Sequence, residues 1–105
     1  MQALERAIAE SRARYEADQH NADVSASRAS EWQTLCEWRG FLQNGEPSAA
    51  LRKKLAAALP GLKEELAREA EHPSFDWYDE HYHYKRLAGV LDAYRILLPL
   101  LEPER

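Results

Sequence analysis

The sequence predicts an all-α fold, a small bundle of three or four helices with a long C-terminal helix that is apolar on two sides. Apolar residues recur at three- and four-residue steps along most of the chain, which is the period of an α-helix. No stretch of useful length alternates apolar and polar residues as a half-buried strand does. The four glycines and five prolines separate or punctuate the helical segments.

Length and composition indicate one helical domain that covers residues 1–105. The chain is 45% hydrophobic and 30% charged, which is ordinary for a globular protein. Its 18 acidic and 14 basic residues are interleaved and give a formal net charge of -4. This balance speaks against general nucleic-acid binding, because such proteins need a basic surface to neutralise phosphates.

Cysteine content and hydropathy predict a cytoplasmic protein. Cys36 is the only cysteine, so an intrachain disulfide is impossible and a reducing compartment is favoured. The longest apolar run, 96–101, is far below the roughly 20 residues that cross a membrane. The N-terminus lacks the uninterrupted apolar region of a classical signal peptide. We therefore expect neither membrane association nor classical secretion.

The first predicted helix covers residues 2–21 and has a thin apolar side. Leu4, Ile8 and Tyr15 fall on that side, and charged residues occupy most of the remainder. Small polar residues follow from 21 to 30. They suit either a loose connection or a weak continuation of the helix, and we predict a boundary there.

The second predicted helix covers residues 28–43, with Ser27 or Ser30 as its N-cap. Ser30 and Gln33 have the spacing of a capping box, in which each side chain satisfies a free backbone amide. Trp32, Leu35 and Trp38 lie on a different side from the apolar residues of the first helix, which indicates a change of packing partner.

The third predicted helix covers residues 48–71 and is kinked at Pro60, because proline lacks a backbone donor and clashes with the preceding turn. A cluster of lysine and arginine residues on this helix is opposed by neighbouring glutamates, which predicts a solvated face. Its apolar stripe keeps its phase through Pro60 and consists of Leu51, Leu55, Ala58, Leu59, Leu62 and Leu66.

The last predicted helix covers residues 74–98, with Ser74 as a plausible cap and Pro99 and Pro103 opposing its continuation. Two apolar stripes on one helix require two packing partners. One stripe consists of Tyr84, Leu87, Leu91, Tyr94, Leu98 and Leu101. The other consists of Phe75, Tyr78, Tyr82, Gly89, Ala93, Ile96 and Leu100.

The two stripes of the last helix allow two interpretations. Neighbouring helices of the same chain could cover both, which would place this helix at the centre of the bundle. Alternatively, one stripe binds a second copy of the chain or another protein. Five of the ten aromatic residues lie between Phe75 and Tyr84, and tryptophan and tyrosine are enriched at interface hot spots. The candidate partner-binding residues are Trp32, Trp38, Phe41, Phe75, Trp77, Tyr78 and Tyr82.

Two Glu-x-x-His pairs suggest an alternative metal site. Glu69 precedes His72 and Glu80 precedes His83 by three residues, so each pair lies on one side of a helix. Ferritin-like di-iron bundles use two such pairs together with two further glutamates. The chain shows no complete ligand set, and the paired groups can equally face water near a turn, so we predict no cofactor.

We therefore expect a non-enzymatic protein-interaction module rather than an enzyme. The sequence contains no glycine-rich phosphate loop, no cysteine pair for zinc and no nucleophile elbow. A small cytoplasmic accessory, adaptor or inhibitor protein, of bacterial or phage origin, fits this description, as does a homodimer. The alternatives are a metal-binding helical protein that uses the Glu/His pairs and a nucleic-acid-binding regulator with a helix-turn-helix in its second and third segments.

Overall fold

A computed structural model of the chain describes residues 2–22, 24–72 and 81–101. It contains α1 (Gln2–Asp18), α2 (Ser25–Gln43), α3 (Ser48–Glu71) and α4 (Tyr82–Leu100). The described residues form no strand. The predicted all-α helical bundle is thereby confirmed. Within the described ranges, no helix combines the length and the apolar character that crossing a membrane requires.

The first two helices form an antiparallel pair. Arg39 near the end of α2 contacts Glu5 near the start of α1, at 3.2 Å. At the opposite end of the pair, Arg28 contacts Asp18, also at 3.2 Å. α1 therefore runs along the length of α2.

α4 contacts each of the other three helices. Ser27 of α2 bonds to the carbonyl of Lys85 near the start of α4, whereas Trp38 meets Tyr94 near its end, so α2 and α4 are parallel. Arg52, near the start of α3, reaches the last carbonyls of α4, which makes these two helices antiparallel.

Two apolar clusters hold the helices together. The stripe of α4 that includes Gly89 and Ala93 faces α2, and the stripe that includes Leu91 faces α3. Helices of the same chain therefore cover the middle of both stripes. Tyr84 of one stripe and Leu100 of the other are exposed, and Phe75 and Tyr78 lie outside the described residues. The main cluster consists of Leu4, Ile8, Leu35, Trp38, Leu51, Leu55, Ala93, Leu97 and Leu101. The smaller cluster, between α3 and α4, consists of Leu62, Leu66 and Leu91.

The connection between α1 and α2 differs from the prediction. α1 ends at Asp18 rather than at residue 21, and α2 begins at Ser25 rather than at residue 28. The N-cap position belongs to Val24, and no side chain caps the helix there. The predicted capping serines instead lie inside α2, where they bond to α4. The small residues of this segment predict a break, but in the structure they permit close contact between α2 and α4.

The bounds of α3 and α4 can be compared with the prediction in part. α3 spans Ser48–Glu71 as one helix with Pro60 inside it, after a turn in which Gly45 has a φ of +90°. α4 begins at Tyr82 in the described structure, and residues 74–80 of the predicted helix lie outside the described residues. At its other end α4 continues through Pro99 to Leu100. Pro99 lacks a backbone donor and so costs one intrahelical hydrogen bond, but only one residue of α4 follows it.

Candidate functional site

The predicted partner-binding residues occupy different environments. Trp38 is 7% exposed and packs edge-on against Phe41 and Tyr94, with ring centroids 5.5 Å and 5.6 Å apart. Phe41 and Trp32 are half-buried against the main cluster. Trp38 therefore serves the core and offers little surface to a partner.

The remaining predicted partner-binding residues lie near or before the start of α4. Tyr82 is half-buried in the first turn of that helix. Phe75, Trp77 and Tyr78 lie outside the described residues. Of the predicted set, Trp32 and Phe41 on α2 and Tyr82 on α4 thus keep partial exposure within the described ranges.

Trp32 borders a surface groove between α1 and α2, with a volume of about 370 Å³. We call it the α1/α2 groove. It lies on α1 and α2 alone, so the antiparallel pairing of these helices determines its shape. Its lining consists of Glu5, Ile8, Ala9, Arg12, Ala13, Glu16, Trp32, Cys36 and Arg39.

Aromatic and cationic groups fix the position of Trp32. Its ring stacks on Tyr15 of α1, with centroids 5.7 Å apart and planes inclined by 27°. The guanidinium of Arg12 lies 5.6 Å from the Trp32 ring centroid, which is cation-π distance. The indole is therefore held between α1 side chains while part of its surface remains accessible.

Ion pairs flank both ends of the α1/α2 groove. Arg12 contacts Glu16 at 2.9 Å within α1, and Arg39 contacts Glu5 across the two helices at 3.2 Å. Such exposed pairs contribute little to stability, about 0 to 1 kcal/mol each. Their place beside an apolar floor, however, gives the groove a polar rim like that of many protein interfaces.

A buried polar cluster lies at the junction of α1, α2 and α4. Glu31 on α2 is only 3% exposed, and its Oε1 accepts hydrogen bonds from Ser11, at 2.7 Å, and from Arg14. Among the described residues, no buried side-chain nitrogen or oxygen atom lacks a hydrogen-bond partner. The cluster thus satisfies a carboxylate that would otherwise be costly to bury.

Asp92 of α4 lies near the buried polar cluster, and the charge of Glu31 in that cluster changes the pKa of its carboxyl group. Loss of hydration on burial, and then the negative charge of Glu31, raise the pKa of the Asp92 carboxyl above its usual 3.8. Three arginines, Arg95, Arg28 and Arg14, act in the opposite direction but do not cancel this effect. The ionised form of Asp92 is therefore less favourable in the folded protein than in the unfolded chain.

We expect the Asp92→Asn variant to be more stable than the wild type at pH 7, because burial and the charge of Glu31 disfavour the ionised carboxylate. Because the folded-state pKa is raised, protonation as the pH falls toward 3.8 removes the penalty from the wild type, and the difference between the two proteins should shrink. Thermal unfolding at several pH values measures this effect. The exposed Glu64→Gln variant controls for the loss of one charge. If the wild type is more stable than Asp92→Asn at pH 7, the folded protein does not disfavour the ionised Asp92 carboxylate.

The residues of the predicted metal site are only partly brought together. His83 faces two glutamates of α3, with its Nε2 3.7 Å from an oxygen of Glu65 and 3.8 Å from one of Glu69. His72 is exposed at the end of α3, and Glu80 lies outside the described residues. The described ranges contain no group of three histidine, cysteine, aspartate or glutamate residues arranged to hold a metal ion.

Sequence reasoning missed Glu65 as a neighbour of His83. The signal was present, because Glu65 and Glu69 are four residues apart and so share one side of α3. The antiparallel packing of α3 on α4 is what brings that side to His83, and no spacing in the sequence states this.

Comparison with known proteins gave no family. No family model, no curated protein and no solved structure matches the chain.

Proposed function

We propose that this protein is a non-enzymatic, cytoplasmic interaction module that binds a helical segment of another protein in the α1/α2 groove. In this role it would act as a small accessory protein, either an adaptor or an inhibitor. The observation that carries the proposal is the partly exposed Trp32 in a groove with small apolar residues and a charged rim.

The small residues of the groove favour a helix as the bound segment. Ala9 and Ala13 are exposed and lie one turn apart on α1, so they leave room for another helix to approach closely. A small residue also permits close helix packing inside the protein, where Gly89 of α4 lies against the backbone of Ser27. Helix-in-groove binding is a common mode of recognition between proteins.

The charges around the groove favour a segment with polar flanks and an apolar centre. Arg12 and Glu16 stand at one end, and Glu5 and Arg39 stand at the other. Trp32 lies between them and is of the residue type most enriched at interface hot spots. An amphipathic helix would place its apolar side on Trp32 and its charged residues against the rim.

Site-specific photo-crosslinking tests the proposal. In a Cys36→Ala background, Ala17→Cys places a benzophenone label one turn beyond Ala13, so that it borders the groove without filling it. In extracts of the cells that express the protein, we expect one discrete adduct with another protein. Replacing Trp32 with alanine should remove most of that adduct, because hot-spot truncation costs about 2 kcal/mol or more.

A matched control places the same label at Lys63→Cys, on an exposed part of α3. It should give no adduct of that mass. Equal adducts from both positions, or an adduct that survives in a folded Trp32→Ala variant, would rule out the groove as the binding site. An adduct with twice the mass of the chain would instead identify a homodimer.

A further inference from the structure

The two halves of α1 are attached to the rest of the protein by different kinds of contact. In the N-terminal half, Leu4 and Ile8 are buried in the main apolar cluster. Beyond Ile8 the only fully buried residue of α1 is Ser11. The contacts of this second half with α2 include the hydrogen bonds of Ser11 and Arg14 to Glu31 and the ion pair between Asp18 and Arg28. Tyr15 and Arg12 also lie against the ring of Trp32.

The packing of α4 on α2 is of another kind. Ala93 and Leu97 of α4 are 0% exposed, as is Leu35 of α2. Gly89 brings the two backbones into direct contact. Separating α4 from α2 would expose buried apolar surface to water, which is unfavourable. Separated polar groups, in contrast, can form new hydrogen bonds with water. The second half of α1, residues 9–18, should therefore separate from α2 more easily than α4 does.

Glu31 also gains hydration if α1 separates. Its side chain is 4% exposed while α1 is in place, and burying a carboxylate is costly even when it is paired. The pKa of the Asp92 carboxyl is raised first by burial and then by repulsion from Glu31, so the two carboxylates repel each other. Removal of α1 would return Glu31 to water and weaken that repulsion, which offsets part of the loss of its two hydrogen bonds.

We propose that residues 9–18 of α1 form a displaceable strap, which the contacts of Ser11 and Arg14 with Glu31 hold closed. The strap opens from α2 while Leu4 and Ile8 remain in the main apolar cluster and α2, α3 and α4 stay packed. Opening uncovers the side of α2 that carries Glu31 and Trp32. It also abolishes the α1/α2 groove, since α1 supplies one wall. If the groove binds a helix as proposed above, a bound partner keeps the strap closed.

Hydrogen exchange of the full chain, measured by mass spectrometry at neutral pH, tests the strap without any partner. Regions that open locally exchange faster than regions that exchange only on global unfolding. We expect the amides of residues 9–16 in α1 to be protected at least about tenfold less than those of residues 91–97 in α4. Equal protection in the two regions would overturn the proposal.

The Arg14→Met variant tests the role of the polar contacts. It removes a charged donor to Glu31 but keeps the length of the side chain, and the loss should increase exchange of residues 9–16 by about tenfold or more. Exchange of residues 91–97 through global unfolding breaks the same contact, so it should rise by no more than the same factor and remain the slower of the two. Arg6→Met is the matched control, because Arg6 is exposed on the same helix and has the same charge. It should leave both regions unchanged.

Arg52→Met supplies the converse test, because Arg52 donates to carbonyls at the end of α4 and these bonds remain when α1 alone opens. It should accelerate exchange of residues 91–97 and leave that of residues 9–16 unchanged. Equal acceleration of both regions would mean that α1 opens only when the whole protein unfolds, and would refute the strap. The wild-type comparison decides the matter if the variant does not fold. Because no partner is present in these measurements, they can fail while the crosslinking experiment succeeds, and the reverse also holds.

Discussion

Replacing Gly89 with alanine should destabilise the protein by about 2 kcal/mol or more. A Cβ at this position would overlap the backbone oxygen of Ser27 and lie 2.8 Å from the Cβ of Ser30. The obstacle is backbone rather than the end of a flexible side chain, so α2 and α4 must move apart. That movement also weakens the bonds from Ser27 to the Lys85 carbonyl, at 2.8 Å, and from Ser30 to that of Arg86, at 2.7 Å.

Urea denaturation of Gly89→Ala measures the effect as a lower free energy of unfolding. The matched control is Gly40→Ala, because Gly40 also lies inside a helix and nothing is within 4 Å of a Cβ built there. The control should be neutral or stabilised by up to about 1 kcal/mol, since alanine favours helix over glycine. If both variants gained stability alike, the close crossing of α2 and α4 would be wrong.

Arg52→Met should cost roughly 1.5 to 3 kcal/mol, which is the usual range for hydrogen bonds that involve a charged group. The guanidinium of Arg52 donates to the carbonyls of Leu98, at 2.7 Å, and Leu101, at 3.0 Å. These carbonyls lie at the end of α4, where a helix has no internal donor for them. Methionine keeps most of the aliphatic contact and removes both donors. The measured loss therefore reports on these two hydrogen bonds, which cap the C-terminal end of α4.

Lys63→Met is the control for Arg52→Met, since Lys63 is exposed on the same helix and carries the same charge. It should change the free energy of unfolding by less than about 0.5 kcal/mol. Arg52→Lys should fall between the two, because an ammonium group cannot reproduce the planar fork of the guanidinium. Equal losses for the Arg52→Met and Lys63→Met variants would mean that the cap does not stabilise α4.

The role of Arg52 shows where reasoning from spacing fails. The sequence places it in a run with Lys53 and Lys54, and such a run predicts a solvated face. Lys54 fits that prediction, as it is exposed and pairs with Glu46 at 3.0 Å. Arg52 does not, because the end of α4 lies beside it only after α3 and α4 pack antiparallel.

The α1/α2 groove was predictable only in part. The density of aromatic residues on α2 indicated Trp32 and Trp38 together, because both belong to one apolar side of the helix. Their different exposure arises from their neighbours, since Trp38 meets Tyr94 of α4 whereas Trp32 meets Tyr15 of α1. Periodicity identifies which residues share a side but not how deep that side lies in the fold.

The sequence by itself determined the helical class, the bounds of α3 and the need of α4 for two packing partners, because these depend on local spacing and on proline and glycine. The tertiary structure alone decided that Ser27, Ser30 and Gly89 form a close crossing rather than a break, and that Glu31 is buried between α1 and α4. Small and polar residues favour loops in isolation. They become interior residues only when another helix supplies the hydrogen bonds that water would otherwise provide.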